Sequence, residues 1–388
     1  MSGDGAGRAD TVIVGGGIAG VALAYYLARG GAEDVVLVER DQLGGGSTAA
    51  SFSGVRQQFS TPLEIELSKR GLRFWKTCAE RFDSPCPFAQ TGYLLITSRP
   101  DVMARLAESA ELQRELGAGP VEILSPDGVR GVSPWLASED LAGGSYTPED
   151  GRVTATDGVA ALAKGARRLG VEIRQWWPVR TVERRRGGYR VVGKTGSLDA
   201  RRVVVAAGIW SPGLLEPIGA HVDVSPLALH YALTGPALVA ETVPLTIDFD
   251  TGFCLEREGQ GLVLSMLLSE TPPGYGAQQM LEDWFTTAQR RAPTLVELGI
   301  SRLLTGQADE VSDGHPNAGR LEDELWVLAG FAGHGVMHGP PVAELLAATM
   351  LGAPDPEIDL GVCDPLRVPG RVLDNEWMVA QRTYEGGQ

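Results

Sequence analysis

Residues 11–39 read TVIVGGGIAGVALAYYLARGGAEDVVLVE, and this stretch decides the fold. Residues 11–14 are apolar and mostly β-branched, which is typical of a strand, and helix-forming residues follow from 18 to 28. Gly30 and Gly31 predict the end of that helix, and a second apolar strand is predicted over residues 35–39. The chain therefore opens with a predicted strand–helix–strand unit.

The turn between the first strand and the helix reads GGGIAG and fits the pattern GxGxxG at Gly15, Gly17 and Gly20. The first glycine permits a tight turn, the second lets the backbone approach a pyrophosphate, and the third lets helix and strand pack closely. The helix N-terminus stabilises phosphates through its unpaired N–H groups and its dipole. Glu39 follows the second strand, where its carboxylate can accept hydrogen bonds from ribose hydroxyls. The turn therefore predicts a bound dinucleotide.

Three further stretches favour FAD over NAD. Residues 44–48, GGGST, offer backbone amides and two hydroxyls for the second phosphate or the ribityl chain. A predicted strand over residues 203–207 ends in Ala207 and Gly208, small residues where a backbone can pass close to a cofactor. Residues 330–335, GFAGHG, precede a predicted helix, and a helix N-terminus stabilises the negative charge of a reduced flavin.

The pattern along the rest of the chain predicts two domains. We expect an α/β fold in which a Rossmann-like FAD-binding domain carries an inserted, mainly antiparallel β-sheet substrate domain. The predicted FAD-binding domain is discontinuous and comprises residues 1–87, 146–221 and 305–370, the predicted substrate domain comprises residues 88–145 and 222–304, and residues 371–388 are a predicted C-terminal tail.

The composition argues against several classes of protein. The 388 residues carry a formal net charge of −15, which repels nucleic acid and anionic membranes, and the basic run at residues 184–186 is interpreted as a hairpin tip. No apolar run approaches the ~20 residues of a membrane span. The four cysteines form no CxxC pair and are predicted to be reduced thiols. Together with the lack of an N-terminal apolar signal region, this predicts a cytoplasmic protein.

Five motifs resemble those of the D-amino acid oxidase-like FAD-dependent oxidoreductases, most closely the branch that oxidises sarcosine, proline and glycine. They are GGGIAG, GGGSTAASFSGVRQQFS, VVVAAGIWSP, SDGHPNAGR and GFAGHGVMHGPPVAELL, and they follow the family's order over nearly the whole chain. The resemblance implies hydride transfer from a C–H bond next to nitrogen to flavin N5, giving an imine that water hydrolyses. The protein would then supply positioning and electrostatics, because the redox chemistry is the cofactor's.

The resemblance also implies residue roles. Glu39 would contact the adenosine ribose, Val179 the adenine, and residues 47–48 a phosphate. Residues 54–56 would lie beside the isoalloxazine ring, and residues 333–337 would hold its pyrimidine end. The full predicted cofactor-binding set is Gly15, Gly17, Ile18, Ala19, Gly20, Glu39, Arg40, Ser47, Thr48, Gly54, Val55, Val179, Ala207, Gly208, Trp210, Gly333, Gly335, Val336 and Met337.

The chain departs from the family where relatives attach FAD or bind a substrate carboxylate. Residues 303–308 hold no cysteine and residues 49–51 hold no histidine, so we predict non-covalent FAD. Cys254 and Glu256, predicted substrate-pocket residues, stand where relatives carry an aromatic residue and an arginine. Arg257 is one residue out of register and would point to the opposite face of its strand. A plain α-amino acid substrate is therefore in doubt.

Two further departures concern the substrate and the electron acceptor. The strand at residues 226–231 is apolar where relatives carry basic and polar residues, which favours an apolar or bulkier substrate. Val263 occupies the position of an oxygen-activating lysine. The acceptor is therefore dioxygen or another carrier.

Among the five histidines, His334 lies at the expected flavin edge and is predicted, with Arg56 and His230, to be catalytic. Plain structural roles are the alternative for both histidines. His334 and His338 have the i, i+4 spacing of metal ligands. Because Gly335 replaces the glutamate of HExxH and no third ligand is evident, we predict no metal site.

These observations predict FAD-dependent oxidation of a C–N bond in a small amine or modified amino acid. One alternative is flavin-dependent oxidation of a C–C or C–O bond in a non-amine metabolite, which the missing pocket arginine leaves open. Another is a flavin-bearing assembly or scaffold protein without turnover. The predicted partners are a small-molecule substrate and an electron acceptor, with no nucleic acid and no membrane, and the sequence is silent on oligomeric state.

Overall fold

The glycine-rich turn after the first strand fixes how the N-terminal unit packs. The computed structural model describes residues 7–237, 243–267 and 274–368. Gly15 has a φ of 119°, and a Cβ on it would lie 2.2 Å from the carbonyl oxygen of Ala206. A Cβ on Gly20 would lie 2.1 Å from the carbonyl oxygen of Gly15. Only glycine fits at these positions, and the predicted strand–helix–strand unit is confirmed.

The elements of the described residues are numbered in chain order. The strands are β1 (Gly7–Val14), β2 (Val35–Val38), β3 (Gly54–Val55), β4 (Tyr93–Thr97), β5 (Glu122–Leu124), β6 (Gly143–Thr147), β7 (Gly151–Arg152), β8 (Glu172–Arg174), β9 (Val179–Arg185), β10 (Gly188–Gly193), β11 (Gly196–Val205), β12 (Ser225–Thr234), β13 (Leu245–Asp248), β14 (Phe253–Glu258), β15 (Gly261–Met266), β16 (Ile300–Glu310), β17 (Asn317–Glu322) and β18 (Leu325–Ala329). The α-helices are α1 (Ile18–Arg29), α2 (Pro62–Phe82), α3 (Pro100–Glu115), α4 (Pro126–Val132), α5 (Ala155–Arg168), α6 (Ser211–Leu215), α7 (Ala277–Arg291) and α8 (Gly335–Met350).

The first sheet follows the path β17–β18–β11–β1–β2–β8. Neighbours from β18 to β8 run parallel, while β17 is antiparallel to β18. Strands β9 and β10 form an antiparallel pair beside the first half of β11, so the hairpin predicted at residues 184–188 is confirmed. The parallel centre brings the glycine-rich ends of β1 and β11 to the same edge of the sheet.

Alternating residues of the first sheet face two separate cores. Ile13 and Val204 pack against helices α1, α2, α5 and α8. Val12 and Val203 face the opposite side, toward β9, β10 and α6. Both faces are covered, as expected for a parallel sheet.

The second sheet has the order β16–β12–β15–β14–β13–β4–β6–β5, and its described strands pair antiparallel except for β13 with β4. Helix α7 covers one face, where Trp284 stacks on Phe253 with ring centroids 4.9 Å apart. Helix α3 covers part of the other face through Val102 and Leu106. The predicted α/β class with a mainly antiparallel second sheet is confirmed.

Helix α2 was not predicted, although its start signal is present in the sequence. Thr61 is the N-cap and accepts a hydrogen bond from the backbone N–H of Glu64, and Pro62 occupies the first helical position. Helix α7 was also missed, because Gly276 provides no side-chain cap. Helix α2 packs against α5, α8 and β3, and helix α7 packs against the second sheet.

The prediction of four reduced thiols is wrong, because Cys78 and Cys86 form a disulfide. Cys78 lies near the end of α2, and the chain reverses at Asp83, which has a left-handed φ of 47°. The two Cα atoms are consequently 6.4 Å apart. A search for CxxC pairs does not detect a bond across a helix end. Cys254 and Cys363 are buried and form no disulfide within the described part of the chain.

The predicted division into domains stays a prediction. Strands of the second sheet come from residues 93–147 and 225–310, so β6 and β16 continue past the predicted boundaries at 145 and 304. The predicted tail at 371–388 and the prolines of the turn predicted at 272–274 lie outside the described residues.

Candidate active site

A cavity of about 480 Å³ lies where the two sheets meet. The glycine-rich stretches singled out in the sequence line one side of it, and strands β12, β13 and β14 line the other. The lining residues from the predicted cofactor set are Gly15, Gly17, Ile18, Ala19, Gly20, Glu39, Arg40, Ser47, Thr48, Gly54, Val179, Ala207, Gly208, Trp210, Gly333, Gly335, Val336 and Met337. Stretches far apart in sequence therefore share one site.

The N-terminus of α1 opens onto the cavity. Its N-cap is Gly17, which has no side chain to occupy the first-turn N–H groups. The backbone N–H of Ile18 donates to Oγ1 of Thr48 over 3.1 Å. This arrangement of helix dipole, backbone amides and hydroxyl is suited to a pyrophosphate.

Glu39 occupies the end of the cavity next to β2. Its Oε2 accepts a hydrogen bond from the backbone N–H of Gly16 over 2.7 Å, and its Oε1 accepts one from Asp41 over 2.9 Å. Trp177 and Pro178, which were not predicted, line the cavity beside Val179. A fixed carboxylate beside an apolar slot has the chemistry required for a ribose and an adenine ring.

Arg40 and Trp210 form an outer wall at this end. The guanidinium carbon of Arg40 lies 3.7 Å from the centre of the Trp210 ring, a cation–π contact. Trp210 ends a short 3-10 helix that begins at Gly208, whose φ is 53°. The turn predicted from small residues therefore presents a large aromatic side chain to the cavity.

The start of α8 bounds the opposite end of the cavity. Ala332 and Gly333 adopt positive φ values of 48° and 84° and turn the chain into the helix. His334 is the N-cap and makes no capping hydrogen bond with its side chain. The positive end of the helix dipole therefore faces the cavity, as the glycine cluster predicts.

Helix α2 packs against the first turn of α8 and fixes its position. Pro340 has no N–H to donate to the carbonyl oxygen of Val336, four residues earlier. The indole Nε1–H of Trp75 donates to that oxygen instead, over 2.9 Å. Gly71 lets the backbones approach, since a Cβ on it would lie 2.2 Å from the carbonyl oxygen of Met337. Helix α2, which was not predicted from the sequence, thus positions the start of α8 at the cavity.

Arg56 lies against this end and is only 1% exposed. Its Nη1–H donates to the carbonyl oxygen of Gln58, and its Nη2 lies 3.2 Å from Nε2 of His334. The guanidinium also stacks over the ring of Phe59 at 4.1 Å. Two of the three predicted catalytic residues, Arg56 and His334, are therefore adjacent and both line the cavity.

A buried carboxylate contacts two further histidines, one of which lies on α8. Glu64 contacts Nδ1 of His315 at 2.9 Å and Nδ1 of His338 at 3.0 Å, and Nε2 of His338 bonds Oγ of Ser68 at 2.7 Å. Burial alone would raise the pKa of Glu64, but the two histidines hold it well below its usual range. Burial disfavours the protonated form of His315, whereas the carboxylate of Glu64 stabilises it. The net effect is a raised pKa of His315. This Glu64 cluster anchors α8 to α2.

Tyr93, at the start of β4, lines the cavity and was not predicted. Burial raises its pKa far above the usual range, so the hydroxyl stays protonated and can donate a hydrogen bond. The guanidinium of Arg56 lies 5.7 Å from its ring. Strand signals identify β4, but only its pairing with β13 brings Tyr93 to this wall.

Asp150 is a second buried carboxyl, and it is bonded to the residue that follows Arg56. It accepts two hydrogen bonds from Gln57, one from the backbone N–H and one from the side-chain amide, each over 3.0 Å. Burial raises the pKa of Asp150 to about 7 despite these bonds. The group therefore titrates near neutral pH next to the segment that carries Arg56.

Three predicted site residues lie outside the cavity. The side chain of Val55 packs in the core, because strand alternation turns only Gly54 toward the cavity. His230 sits on the opposite face from Leu229, and its Nδ1 bonds Oγ1 of Thr305 at 2.9 Å. Glu256 is buried with its Oε1 3.9 Å from Nε of Arg152, and burial raises its pKa to about 8. Cys254 alone of the predicted substrate-pocket pair lines the cavity.

The residues present fit FAD. Two helix N-termini without side-chain caps, at Gly17 and His334, border one cavity. The first suits a pyrophosphate, and the second suits the electron-rich edge of a reduced ring. A dinucleotide of this kind needs both sites, together with a carboxylate such as that of Glu39 for its ribose.

Within residues 7–237, 243–267 and 274–368, no group of three or more His, Cys, Asp or Glu side chains is arranged to hold a metal ion. No helix in these same ranges combines the length and the apolar character needed to cross a bilayer.

Comparison with known proteins agrees with this geometry. A family model described as "DAO: FAD dependent oxidoreductase" matches residues 10–349. The chain is 28% identical over 406 residues to mitochondrial dimethylglycine dehydrogenase of Homo sapiens, a match that covers 97% of the chain and 45% of that protein. It is 28% identical over 369 residues to glycine oxidase of Bacillus licheniformis, covering 89% of the chain and 94% of that protein.

A solved structure shares this fold. The structure of L-proline dehydrogenase from P. horikoshii superposes with a TM-score of 0.85 at 25% identity, covering 93% of this chain and 98% of that one. The chain thus spans about half the length of the dimethylglycine dehydrogenase and nearly all of the other two proteins.

Proposed function

We propose that this chain, which belongs to the DAO family of FAD-dependent oxidoreductases, oxidises a C–N bond in a small amine or modified amino acid. The observation that carries the proposal is the single cavity in which the predicted FAD site is continuous with a wall of Arg56, Tyr93 and His334. A small substrate in that cavity lies between the two sheets. The relatives named above act on dimethylglycine, glycine and proline, all of which contain a C–N bond.

FAD, the predicted cofactor, is confirmed by family membership. It is held without a covalent bond, since residues 303–308 contain no cysteine and residues 49–51 no histidine. We assign the phosphates to the N-terminus of α1 with Thr48, and the adenosine to Glu39 and Val179. The pyrimidine edge of the ring is assigned to the N-terminus of α8.

The chemistry divides between cofactor and protein. FAD held by these residues would supply a hydride acceptor for the carbon next to nitrogen, and the oxidised substrate would be an imine that water hydrolyses. Arg56 and the hydroxyl of Tyr93 orient the polar groups of the substrate, and Nη2–H of Arg56 donates a hydrogen bond to Nε2 of His334, which fixes that imidazole beside the cavity. The fixed amides of α8 stabilise negative charge that develops at this end of the cavity.

An anaerobic substrate screen tests the proposal. The FAD-loaded protein is mixed with secondary and tertiary amines, amino acids and, as the alternative class, hydroxy acids, while the flavin absorbance near 450 nm is followed. Amines should bleach the flavin and hydroxy acids should not. Bleaching by hydroxy acids alone would support C–O oxidation, and no bleaching by any compound would support a protein without turnover.

Three finer assignments are proposals with their own tests. Peroxide formation in air distinguishes dioxygen from another electron acceptor. The two-domain division is tested by limited proteolysis, which should cut between the domains before it cuts within either. A cytoplasmic location is tested by cell fractionation, and the Cys78–Cys86 disulfide makes that test informative because such bonds are rare in reducing compartments.

A further inference from the structure

Part of the surface that the second sheet presents to the cavity is apolar. It is formed by Leu229 of β12, Leu245 and Ile247 of β13, Cys254 of β14 and Leu267. Leu245, Ile247 and Cys254 are at most 4% exposed and belong to one core cluster. Leu245 and Ile247 are two residues apart and therefore share a face of β13. We call these five residues the apolar wall.

The polar groups at this part of the cavity are few. Arg56 and His334 line it from outside the second sheet, and a positive charge is fixed at Arg56. Tyr93 of β4 pairs with Leu245 and belongs to the same core cluster. Among the carboxylates of the described lining residues, Glu39 and Asp41 follow β2, and Asp309 of β16 accepts a hydrogen bond from the backbone N–H of Gly330 over 2.7 Å. A ligand beside Arg56 thus meets a cation and the apolar wall in one cavity.

We propose that the substrate is an N-alkyl amino acid with an apolar side chain, and this rests on the proposed function. The carboxylate of the substrate lies by Arg56, and its branched or aromatic side chain lies against the apolar wall. A substrate without a side chain would leave that wall in contact with water. Specificity should therefore differ from that implied by relatives named for glycine and dimethylglycine.

The size of the preference follows from burial. Each methylene moved from water onto an apolar surface raises affinity roughly fourfold. A branched four-carbon side chain would give a factor of roughly 250 if fully buried, and partial burial reduces this to at least about tenfold. The same factor should appear in binding and in kcat/KM, because the wall contacts the substrate before and during reaction.

Two parallel series test the proposal on the FAD-loaded protein. The first measures kcat/KM from anaerobic flavin bleaching with N-methylglycine, N-methylalanine, N-methylvaline and N-methylleucine. The second measures dissociation constants of acetate, butanoate and 4-methylpentanoate from the change they cause in the flavin spectrum. Both series should improve with side-chain size, and N-methylleucine should exceed N-methylglycine at least tenfold.

Matched variants locate the effect. Ile247→Ala removes part of the apolar wall and should reduce the preference for N-methylleucine over N-methylglycine roughly fivefold or more. Leu229→Ala, at a half-buried position, provides a second variant should the first fold poorly. Leu255→Ala is the control, because Leu255 is equally buried but faces the core under α7. This control should leave the preference unchanged.

The outcomes separate this inference from the proposed function. Bleaching by N-methylglycine as efficiently as by N-methylleucine would keep C–N oxidation and overturn the apolar side chain. Acid affinity that rises with chain length, without bleaching by any amine, would support the apolar ligand and overturn the oxidation. Equal changes in preference for Ile247→Ala and Leu255→Ala would overturn the role of the wall.

Discussion

Replacing Glu64 by glutamine removes the charge at the centre of the Glu64 cluster. The carboxylate is 2% exposed and holds His315 and His338 at 2.9 and 3.0 Å. Removing one partner from a buried, hydrogen-bonded charge pair costs about 3–5 kcal/mol. We expect a loss of that size in the free energy of unfolding, because a neutral amide can accept only one of the two imidazole N–H groups through its oxygen.

The loss should depend on pH. The pKa of Glu64 is lowered in the folded protein, so its contribution is present above the unfolded value of about 4.3 and is lost as pH falls through the folded value. The pKa of His315 is raised, so its contribution is present below about 6.5 and is lost as pH rises through the folded value. The difference between wild type and Glu64→Gln should therefore be largest at about pH 5–6 and smaller at about pH 8.

Equilibrium urea denaturation with saturating FAD, at three pH values, measures the effect. Glu66→Gln is the matched control, two residues along the same helix, where the half-exposed carboxylate pairs with Lys69 and Arg70. It should cost less than about 1 kcal/mol. A loss for Glu64→Gln no larger than the control's, or one independent of pH, would refute the reasoning.

Three other predictions follow from single contacts. Gly20→Ala places a Cβ 2.1 Å from the carbonyl oxygen of Gly15, so the FAD dissociation constant should rise roughly 10- to 100-fold in a fluorescence titration. Arg56→Lys keeps the charge but loses the planar contacts to His334 and Phe59, so anaerobic flavin reduction should slow roughly 100-fold. Arg257→Lys is the control in the same stopped-flow measurement. It should not slow flavin reduction, because Arg257 donates to the carbonyl oxygens of Gly259 and Ala237 away from the cavity. Cys78→Ser should lower the free energy of unfolding by about 2–4 kcal/mol, and dithiothreitol should lower the wild-type value equally but not the variant's.

The nucleotide half of the site could be predicted from the sequence because its determinants are local. Gly15, Gly17 and Gly20 lie within one turn, and Glu39 follows the next strand, so spacing alone places them. The start of α8 could be predicted for the same reason, since glycines and a helix start are adjacent in the chain. All of these residues line the cavity.

The substrate half of the site could be predicted less well than the nucleotide half, because it depends on which face of a strand turns inward. His230 and Leu229 are neighbours, and a pattern of apolar residues on both faces of β12 does not decide between them. The pairing of β13 with β4 brings Tyr93 to the wall, and such a parallel pairing between distant segments leaves no local signal. Trp75 and Gly71 act through helix α2, which was itself missed.

The central claim is that a carbon next to nitrogen gives hydride to FAD in the cavity between the two sheets. The most direct test mixes the FAD-loaded protein anaerobically with N-methylleucine that carries deuterium at the carbons bound to nitrogen, and follows the flavin absorbance near 450 nm. The account predicts that deuterium slows the bleaching and that one equivalent of carbonyl product forms for each flavin reduced. Bleaching that is insensitive to deuterium and yields no carbonyl product would contradict it.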